Sequence, residues 1–169
     1  MKIKNIVFIG DFVCGKSQIL NRLEKNNFSF DHETKLFSFK KIYNINLKQK
    51  IINFVEAPSD QDEFEKCDLS NFDGVIFVFD FGDKDSFLHI GNYYIHEFLE
   101  KNKKTGIIGL LGNKCDISDL DREVSSNDFE QYVRKLKNKL KKFIFYHKEV
   151  SAKLNININE FIENFIEFI

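Results

Sequence analysis

A glycine-rich segment near the amino terminus has the residue types and spacing that bind phosphate. It reads Gly10-Asp11-Phe12-Val13-Cys14-Gly15-Lys16-Ser17, which matches the pattern Gly-x-x-x-x-Gly-Lys-Ser. An apolar run, residues 6–9, precedes it and a helical pattern follows it. In such a strand–loop–helix unit the loop N–H groups and the helix N-terminus face an anion, the lysine reaches the outer phosphates, and the serine hydroxyl holds Mg²⁺. The segment therefore predicts a nucleoside phosphate site.

Two further polar motifs follow predicted strands. Residues 107–112 run into the turn Asn113-Lys114-Cys115-Asp116, and a strand near 143–150 leads into Ser151-Ala152-Lys153. A carboxylate can accept two hydrogen bonds from the ring N–H and the exocyclic amine of guanine, whereas adenine offers neither donor there. Such a mismatch gives discrimination on the order of 10⁴ or more. We therefore predict that Asp116 reads guanine and that the Ala152 backbone N–H donates to the guanine carbonyl.

Strand and helix patterns alternate along the chain. Strands are predicted near 3–9, 36–45, 50–56, 75–80, 107–112 and 143–150, and helices near 16–25, 85–101, 127–141 and 157–169, with a shorter helix near 64–69. The second and third strands have no room for a crossover helix, so they form an antiparallel hairpin. The fold class predicted is α/β, a doubly wound, mostly parallel six-stranded sheet with one antiparallel strand and helices on both faces. Its ligand lies beyond the carboxyl ends of the strands.

Composition narrows the class of protein. The 169 residues carry 25 basic and 26 acidic side chains, so net charge does not favour a nucleic-acid partner. The three cysteines form no disulfide framework, which suits a reducing compartment. Apolar runs are only as long as strands, so no membrane span is predicted. We expect one domain over residues 1–169, a monomer, and a cytoplasmic location.

Taken together and in this order, the motifs resemble those of small GTPases of the Ras superfamily, closest to the Rab and Ras branches, over nearly the whole chain. The resemblance implies a P-loop G domain that binds GTP or GDP with Mg²⁺ and acts as a molecular switch. It also implies that Lys114 packs along the base, Asn113 braces neighbouring loops, Ser151 orients Asp116, Lys153 covers the other edge of the base, and Phe28 lies over guanine. The nucleotide-binding residues predicted in full are Val13, Cys14, Gly15, Lys16, Ser17, Gln18, Phe28, Thr34, Asn113, Lys114, Asp116, Ser151, Ala152 and Lys153.

The metal site and the second switch depart from the family pattern. The resemblance assigns Mg²⁺ to Ser17, to Thr34, and through water to Glu56. In the best register Ser59 stands for the family's glycine and Asp60 for its catalytic glutamine, with Gln61 as a neighbouring substitute. The alternative register, shifted by one residue, places Val55, Pro58 and Ser59 at the three positions of the pattern.

These departures predict slow chemistry. Asp60 would bring negative charge toward an anionic transition state, and Phe12 would crowd the attacking water. We expect tight nucleotide binding with hydrolysis on the order of 10⁻⁴ s⁻¹ or slower.

Partners follow from the resemblance as well. Effector and regulator proteins, namely an exchange factor and an activating protein, are expected to contact residues 29–38 and 57–71.

One alternative is a degenerate GTPase that serves as a nucleotide-stabilised interaction module without effective hydrolysis. A P-loop kinase or ATPase is weaker, because it needs an arginine-bearing lid and the arginines lie in or near predicted helices. No cysteine follows Cys115, so peripheral attachment to an endomembrane requires a lipidated tail outside this sequence.

Overall fold

A six-stranded sheet forms the centre of the computed structural model, which describes residues 2–28 and 36–169. Its strands are β1 (Ile3–Ile9), β2 (Ser38–Ile45), β3 (Lys48–Glu56), β4 (Gly74–Asp80), β5 (Ile107–Asn113) and β6 (Ile144–Glu149). Their order in the sheet is β2-β3-β1-β4-β5-β6, and β2 alone is antiparallel to its neighbour. The fold class predicted from the sequence is confirmed.

Six α-helices and one π-helical turn connect these strands within the described residues. They are α1 (Lys16–Lys25), α2 (Gln61–Lys66), α3 (Lys84–His89), the π-helical turn (Ile90–Tyr94), α4 (Ile95–Lys101), α5 (Ser126–Lys139) and α6 (Ile158–Ile166). The short helix predicted near 64–69 lies earlier in the chain. It begins at Gln61 because the Asp60 side chain accepts a hydrogen bond from the Glu63 backbone N–H at 3.1 Å and so caps the helix.

The hairpin between β2 and β3 is tighter than its sequence suggests. Asn46 and Leu47 both have positive φ, 50° and 63°, as the two central residues of a mirror-image turn require. Asn tolerates this conformation, but Leu rarely adopts it. For this reason β3 starts at Lys48, two residues before the predicted start near residue 50.

Helices cover both faces of the sheet. The apolar residues of α1 and α6 pack on one face, and those of α2, α3, α4 and α5 pack on the other. Every residue of β4 and β5 is buried, as expected for central parallel strands. In the part of the chain that the structure describes, no helix has both the length and the apolar character needed to cross a bilayer.

Glycines in β4 and β5 make room for α6. A Cβ atom built on Gly74 would lie 3.0 Å from the Phe165 ring, and one built on Gly109 would lie 2.9 Å from the Phe161 ring. The two phenylalanine rings stack with centroids 5.7 Å apart. The packing of α6 on the sheet therefore depends on two large phenylalanine rings that lie against glycines, which have no side chain.

We predict that Phe165→Ala destabilises the protein by about 3–5 kcal/mol, because the ring is fully buried and its removal leaves a cavity. Phe168→Ala is the matched control, since that ring, near the end of the chain, is 49% exposed and should cost less than about 1 kcal/mol. Urea unfolding followed by circular dichroism measures both. Equal losses for the two variants would show that the packing of α6 on the sheet is misassigned.

Candidate functional site

The glycine-rich loop joins the end of β1 to the start of α1 in an unusual backbone conformation. Val13 and Gly15 both have positive φ, 59° and 97°. Gly15 is the N-cap residue of α1 and offers no side chain there, and within the described residues no side-chain hydrogen bond caps the first N–H groups of the helix. For a β-branched residue such as Val13, positive φ is strained, and strain of this kind gathers at ligand sites. The loop and helix end together form a concave set of donors suited to an anion.

The Lys16 ammonium group lies at the centre of this loop. Its Nζ donates hydrogen bonds to the Gly10 carbonyl at 2.8 Å, the Asp11 carbonyl at 3.0 Å and the Ser59 hydroxyl at 2.7 Å. Nζ also lies 3.9 Å from the Glu56 carboxylate. Glu56 is the last residue of β3, and Ser59 lies in the segment that follows it. The side chain is buried, so these contacts fix its position.

The Ser17 hydroxyl and the Glu56 carboxylate meet beside this lysine. Ser17 Oγ donates to the carboxylate, with Oε1 at 2.8 Å and Oε2 at 3.0 Å. Mg²⁺ binds oxygen ligands octahedrally at 2.0–2.1 Å, so that adjacent ligands lie about 3 Å apart. The Ser17 hydroxyl can act as one such ligand, and the carboxylate beside it can hold a water molecule at a neighbouring ligand position. The third predicted metal residue, Thr34, lies outside the described residues.

A cleft, which we call the phosphate-loop cleft, opens over these groups. Its lining comprises Phe12, Val13, Gly15, Lys16, Ser17, Gln18, Leu36, Glu56, Ala57, Pro58, Ser59, Asp60 and Glu63. Asp60, predicted as a catalytic residue, lies at this cleft while capping α2. Gln61 is not part of the described lining, and its amide donates to the Glu65 carboxylate at 2.9 Å on the helix surface. Phe12 is 72% exposed at the cleft.

A second cleft, which we call the base cleft, lies at the carboxyl ends of β5 and β6. Its lining comprises Val13, Gly15, Gln18, Phe28, Asn113, Lys114, Asp116, Ile117, Ala152 and Lys153. Nearly all of the base-binding residues predicted from the sequence are therefore brought together. Behind them, buried Ser151 donates from its hydroxyl to Asp116 Oδ1 at 2.5 Å. The apolar wall that Ile117 supplies was not predicted, because its position next to Asp116 carries no motif.

Asn113 connects the two clefts. Its Nδ2 donates to the Cys14 carbonyl at 2.9 Å, and its Oδ1 accepts from the Ala152 N–H at 3.1 Å. The side chain braces both loops, which is the role that the sequence suggests for it. It also engages the Ala152 N–H predicted to contact the guanine carbonyl, so a base at this position would have to share that donor.

Lys114 and Asp80 form a pair that the sequence does not reveal. Lys114 has a φ of 62°, and its Nζ lies 2.5 Å from Asp80 Oδ2. Asp80 ends β4 directly beside Asn113 in the sheet. Strand register was the one signal that could have identified Asp80, because it places the end of β4 against the Asn-Lys-x-Asp turn.

Tyr94 of the π-helical turn and His89, the residue just before that turn, contact the glycine-rich loop at Asp11. Asp11 accepts a hydrogen bond from the Tyr94 hydroxyl at 2.7 Å, and its other carboxylate oxygen lies 2.6 Å from His89 Nδ1. These two residues are five apart, which is the spacing that a π-helical turn brings to one face. Because of this irregular turn, His89 and Tyr94 lie on one face and can both contact Asp11.

Cys14 is a structural residue of the loop. Burial raises the pKa of its thiol from 9.0 to about 11. Burial also raises the pKa values of Cys67 and Cys115. A thiol needs its thiolate form to react, so Cys14 stays inert near neutral pH and contributes its carbonyl to the site instead.

Comparison with known proteins gives matches to one family. A family profile described as the Ras family matches residues 5–169. The chain is 27% identical over 134 residues to the Ras-related protein Rab11A of Lotus japonicus, an alignment that covers 77% of this chain and 58% of that protein. It is 31% identical over 179 residues to the Ras-related protein Rab-32D of Dictyostelium discoideum, covering 97% and 72% respectively. The match to Ras-related protein RABA4b of Arabidopsis thaliana is 27% over 134 residues, with 77% and 59% covered. The chain thus spans about three-fifths of the length of the first relatives that it matches.

Proposed function

This chain belongs to the Ras family, and from that membership we propose that it is a guanine-nucleotide-binding switch. It takes GTP or GDP with Mg²⁺, hydrolyses GTP slowly, and acts in vesicle trafficking or signalling as one G domain over residues 1–169. The observation that carries the proposal is the pairing of two clefts that share Val13, Gly15 and Gln18. One cleft presents an ammonium group and a helix N-terminus to phosphates, and the other presents a carboxylate to a base.

Selection of guanine rests on Asp116. The Ser151 hydroxyl holds Oδ1 of this carboxylate, which fixes the plane of the group while leaving a lone pair on each oxygen available. Guanine supplies two N–H donors to such a carboxylate, whereas adenine would leave it desolvated and unpaired. Phe28 and Lys114, both in the lining of the base cleft, supply faces against which a flat ring packs.

We predict that Asp116→Ala lowers the preference for GDP over ADP by about 100-fold or more, because the two hydrogen bonds to the base are lost. Titration calorimetry on nucleotide-free protein gives both affinities. Asp119→Ala, an exposed acid in the same connection, is the control and should keep the wild-type ratio. The nucleotide that copurifies with the protein is a direct companion test. An unchanged preference in Asp116→Ala would remove the basis of the proposal.

Mg²⁺ is proposed to bind at Ser17 and, through water, at Glu56, with Thr34 completing the site. When bound, the ion neutralises phosphate charge and orients the outer phosphates. Glu56 is buried, and besides Ser17 it faces the Lys16 ammonium. A carboxylate held between a hydroxyl and an ammonium group is oriented before any ion arrives, which reduces the cost of ordering it on binding.

We predict that Glu56→Gln raises the Mg²⁺ concentration needed for slow GDP release by about 10- to 100-fold, because the amide keeps the shape but removes the charge. Release of a fluorescent GDP analogue at a series of free Mg²⁺ concentrations measures this midpoint. Glu63→Gln, at the rim of the same cleft, is the matched control. Identical midpoints for wild type and Glu56→Gln would exclude Glu56 from the metal site.

Slow hydrolysis is proposed from the residues at the reacting end. Asp60 belongs to the lining of the phosphate-loop cleft, so its negative charge would oppose the charge that develops in the transition state. Gln61 interacts with Glu65 on the surface of α2 and does not point a free amide at the cleft. Phe12, exposed in the lining of the same cleft, would crowd an attacking water.

Single-turnover hydrolysis of labelled GTP should proceed at about 10⁻⁴ s⁻¹ or slower without a partner. Asp60→Asn removes the charge but preserves the helix cap, so we expect a rate roughly three- to tenfold faster. Asp62→Asn, an exposed neighbour in α2, should leave the rate unchanged. Wild-type turnover well above the stated rate would show that this end of the site has been misinterpreted.

Effector and regulator proteins are proposed to contact residues 29–38 and 57–71, of which the structure describes 36–38 and 57–71. Leu36 is 56% exposed at the rim of the phosphate-loop cleft, and Ser59 touches Lys16. A terminal phosphate that binds Lys16 therefore acts directly on the second segment, which is how such switches report their nucleotide. A monomeric state, a cytoplasmic location and endomembrane attachment through a lipidated tail stay predictions.

A further inference from the structure

We propose that Arg22 is a positioning residue for the base cleft, an inference that rests on the proposed function. Arg22 lies on α1, far in sequence from the loop that it contacts. Its Nε donates to the Ala152 carbonyl and its Nη2 to the Lys153 carbonyl, both at 2.7 Å. Two consecutive carbonyl groups thus accept hydrogen bonds from one planar guanidinium group, a two-pronged contact that a lysine cannot reproduce.

The same guanidinium group reaches the opposite wall of the cleft. Its Nη1 donates to the Asn26 carbonyl at 3.1 Å, and its central carbon lies 5.8 Å from the centroid of the Phe28 ring. Asn26 follows the last residue of α1 and adopts a left-handed conformation. One side chain therefore links the segment that carries Phe28 to the loop that carries Ala152 and Lys153.

Peptide geometry carries the effect of Arg22 to Asp116. In a trans peptide the carbonyl and the following N–H point in opposite directions, so fixing the Lys153 carbonyl fixes the Leu154 N–H. That N–H donates to Ser151 Oγ at 3.0 Å, and Ser151 Oγ donates to Asp116 Oδ1 at 2.5 Å. A continuous series of hydrogen bonds thus runs from Arg22 to the carboxylate that reads the base.

Arg22 also orients the peptide bond between Ala152 and Lys153. Because Arg22 holds the Ala152 carbonyl, it also fixes the direction of the Lys153 N–H. Asn113 holds the same loop at the Ala152 N–H. The loop is therefore oriented from both sides before a nucleotide binds, which lowers the cost of ordering it. Loss of Arg22 should weaken recognition of the base and leave recognition of phosphate intact.

The test compares Arg22→Ala and Arg22→Lys with Arg134→Ala, which removes an exposed arginine from α5. Two ligands are titrated with Mg²⁺ present: GDP, which has a base, and inorganic tripolyphosphate, which has none. We expect Arg22→Ala to weaken GDP binding about tenfold and to change tripolyphosphate binding by less than about twofold. Arg22→Lys should fall between wild type and Arg22→Ala, and Arg134→Ala should match wild type.

A second measurement uses the protein without nucleotide. Amide hydrogen exchange should be faster at Leu154 in Arg22→Ala than in wild type, since its N–H is no longer held toward Ser151. Equal weakening of GDP and tripolyphosphate would show general damage to α1 and overturn the proposal, as would unchanged GDP binding or unchanged exchange at Leu154. Wild-type protein without a preference for guanine would instead reject the proposed function, and the exchange measurement would still test the contact made by Arg22.

Discussion

The amide side chain of Asn113 joins loops that are far apart in sequence, and the site depends on that connection. It donates to the Cys14 carbonyl and accepts from the Ala152 N–H, while its own backbone carbonyl accepts from Phe81 N–H at 3.1 Å. The amide donates from its nitrogen and accepts at its oxygen, whereas a carboxylate only accepts and an aliphatic group does neither. Asn113 is only 2% exposed, so water could not replace a lost hydrogen-bond partner. A donor or acceptor left unsatisfied here would cost about 1–3 kcal/mol.

Two separate sets of side-chain hydrogen bonds hold the glycine-rich loop in place. Asn113 fixes it at Cys14, and the pair His89 and Tyr94 fixes it at Asp11. Between these points Val13 keeps a positive φ that a β-branched residue does not adopt unless its surroundings impose it. A loop constrained in this way loses little further freedom when an anion binds, and this is a gain in affinity that needs no additional contact.

The fold could be predicted because its signals are local. Each signal lies within about ten residues of sequence: the apolar run that ends at Ile9, the glycines of the following loop, and the turn at Asn113. Parallel topology then places the strand ends together. The contacts that could not be predicted join elements across the fold. Neither the pair Lys114–Asp80 nor the contact of Arg22 with the Lys153 carbonyl has any periodicity in the sequence. The start of α2 differs from the prediction for another reason: Asp60, predicted as a catalytic residue, also caps the helix, and that cap sets where the helix begins.

The hydrogen bonds of Lys16 connect the glycine-rich loop to the segment that follows β3. An ammonium group has three N–H donors, and the Gly10 carbonyl, the Asp11 carbonyl and the Ser59 hydroxyl accept all three. The two carbonyls belong to the glycine-rich loop, which Asn113 holds at the Cys14 carbonyl and which His89 and Tyr94 hold at the Asp11 side chain. A phosphate oxygen that binds Lys16 must therefore take the place of Ser59. Because Ser59 lies directly before the cap of α2, its displacement moves the start of that helix. In the register that aligns Ser59 with the family's glycine, the hydroxyl gives this segment a contact with Lys16 that a glycine could not make, and a phosphate would have to compete with that contact.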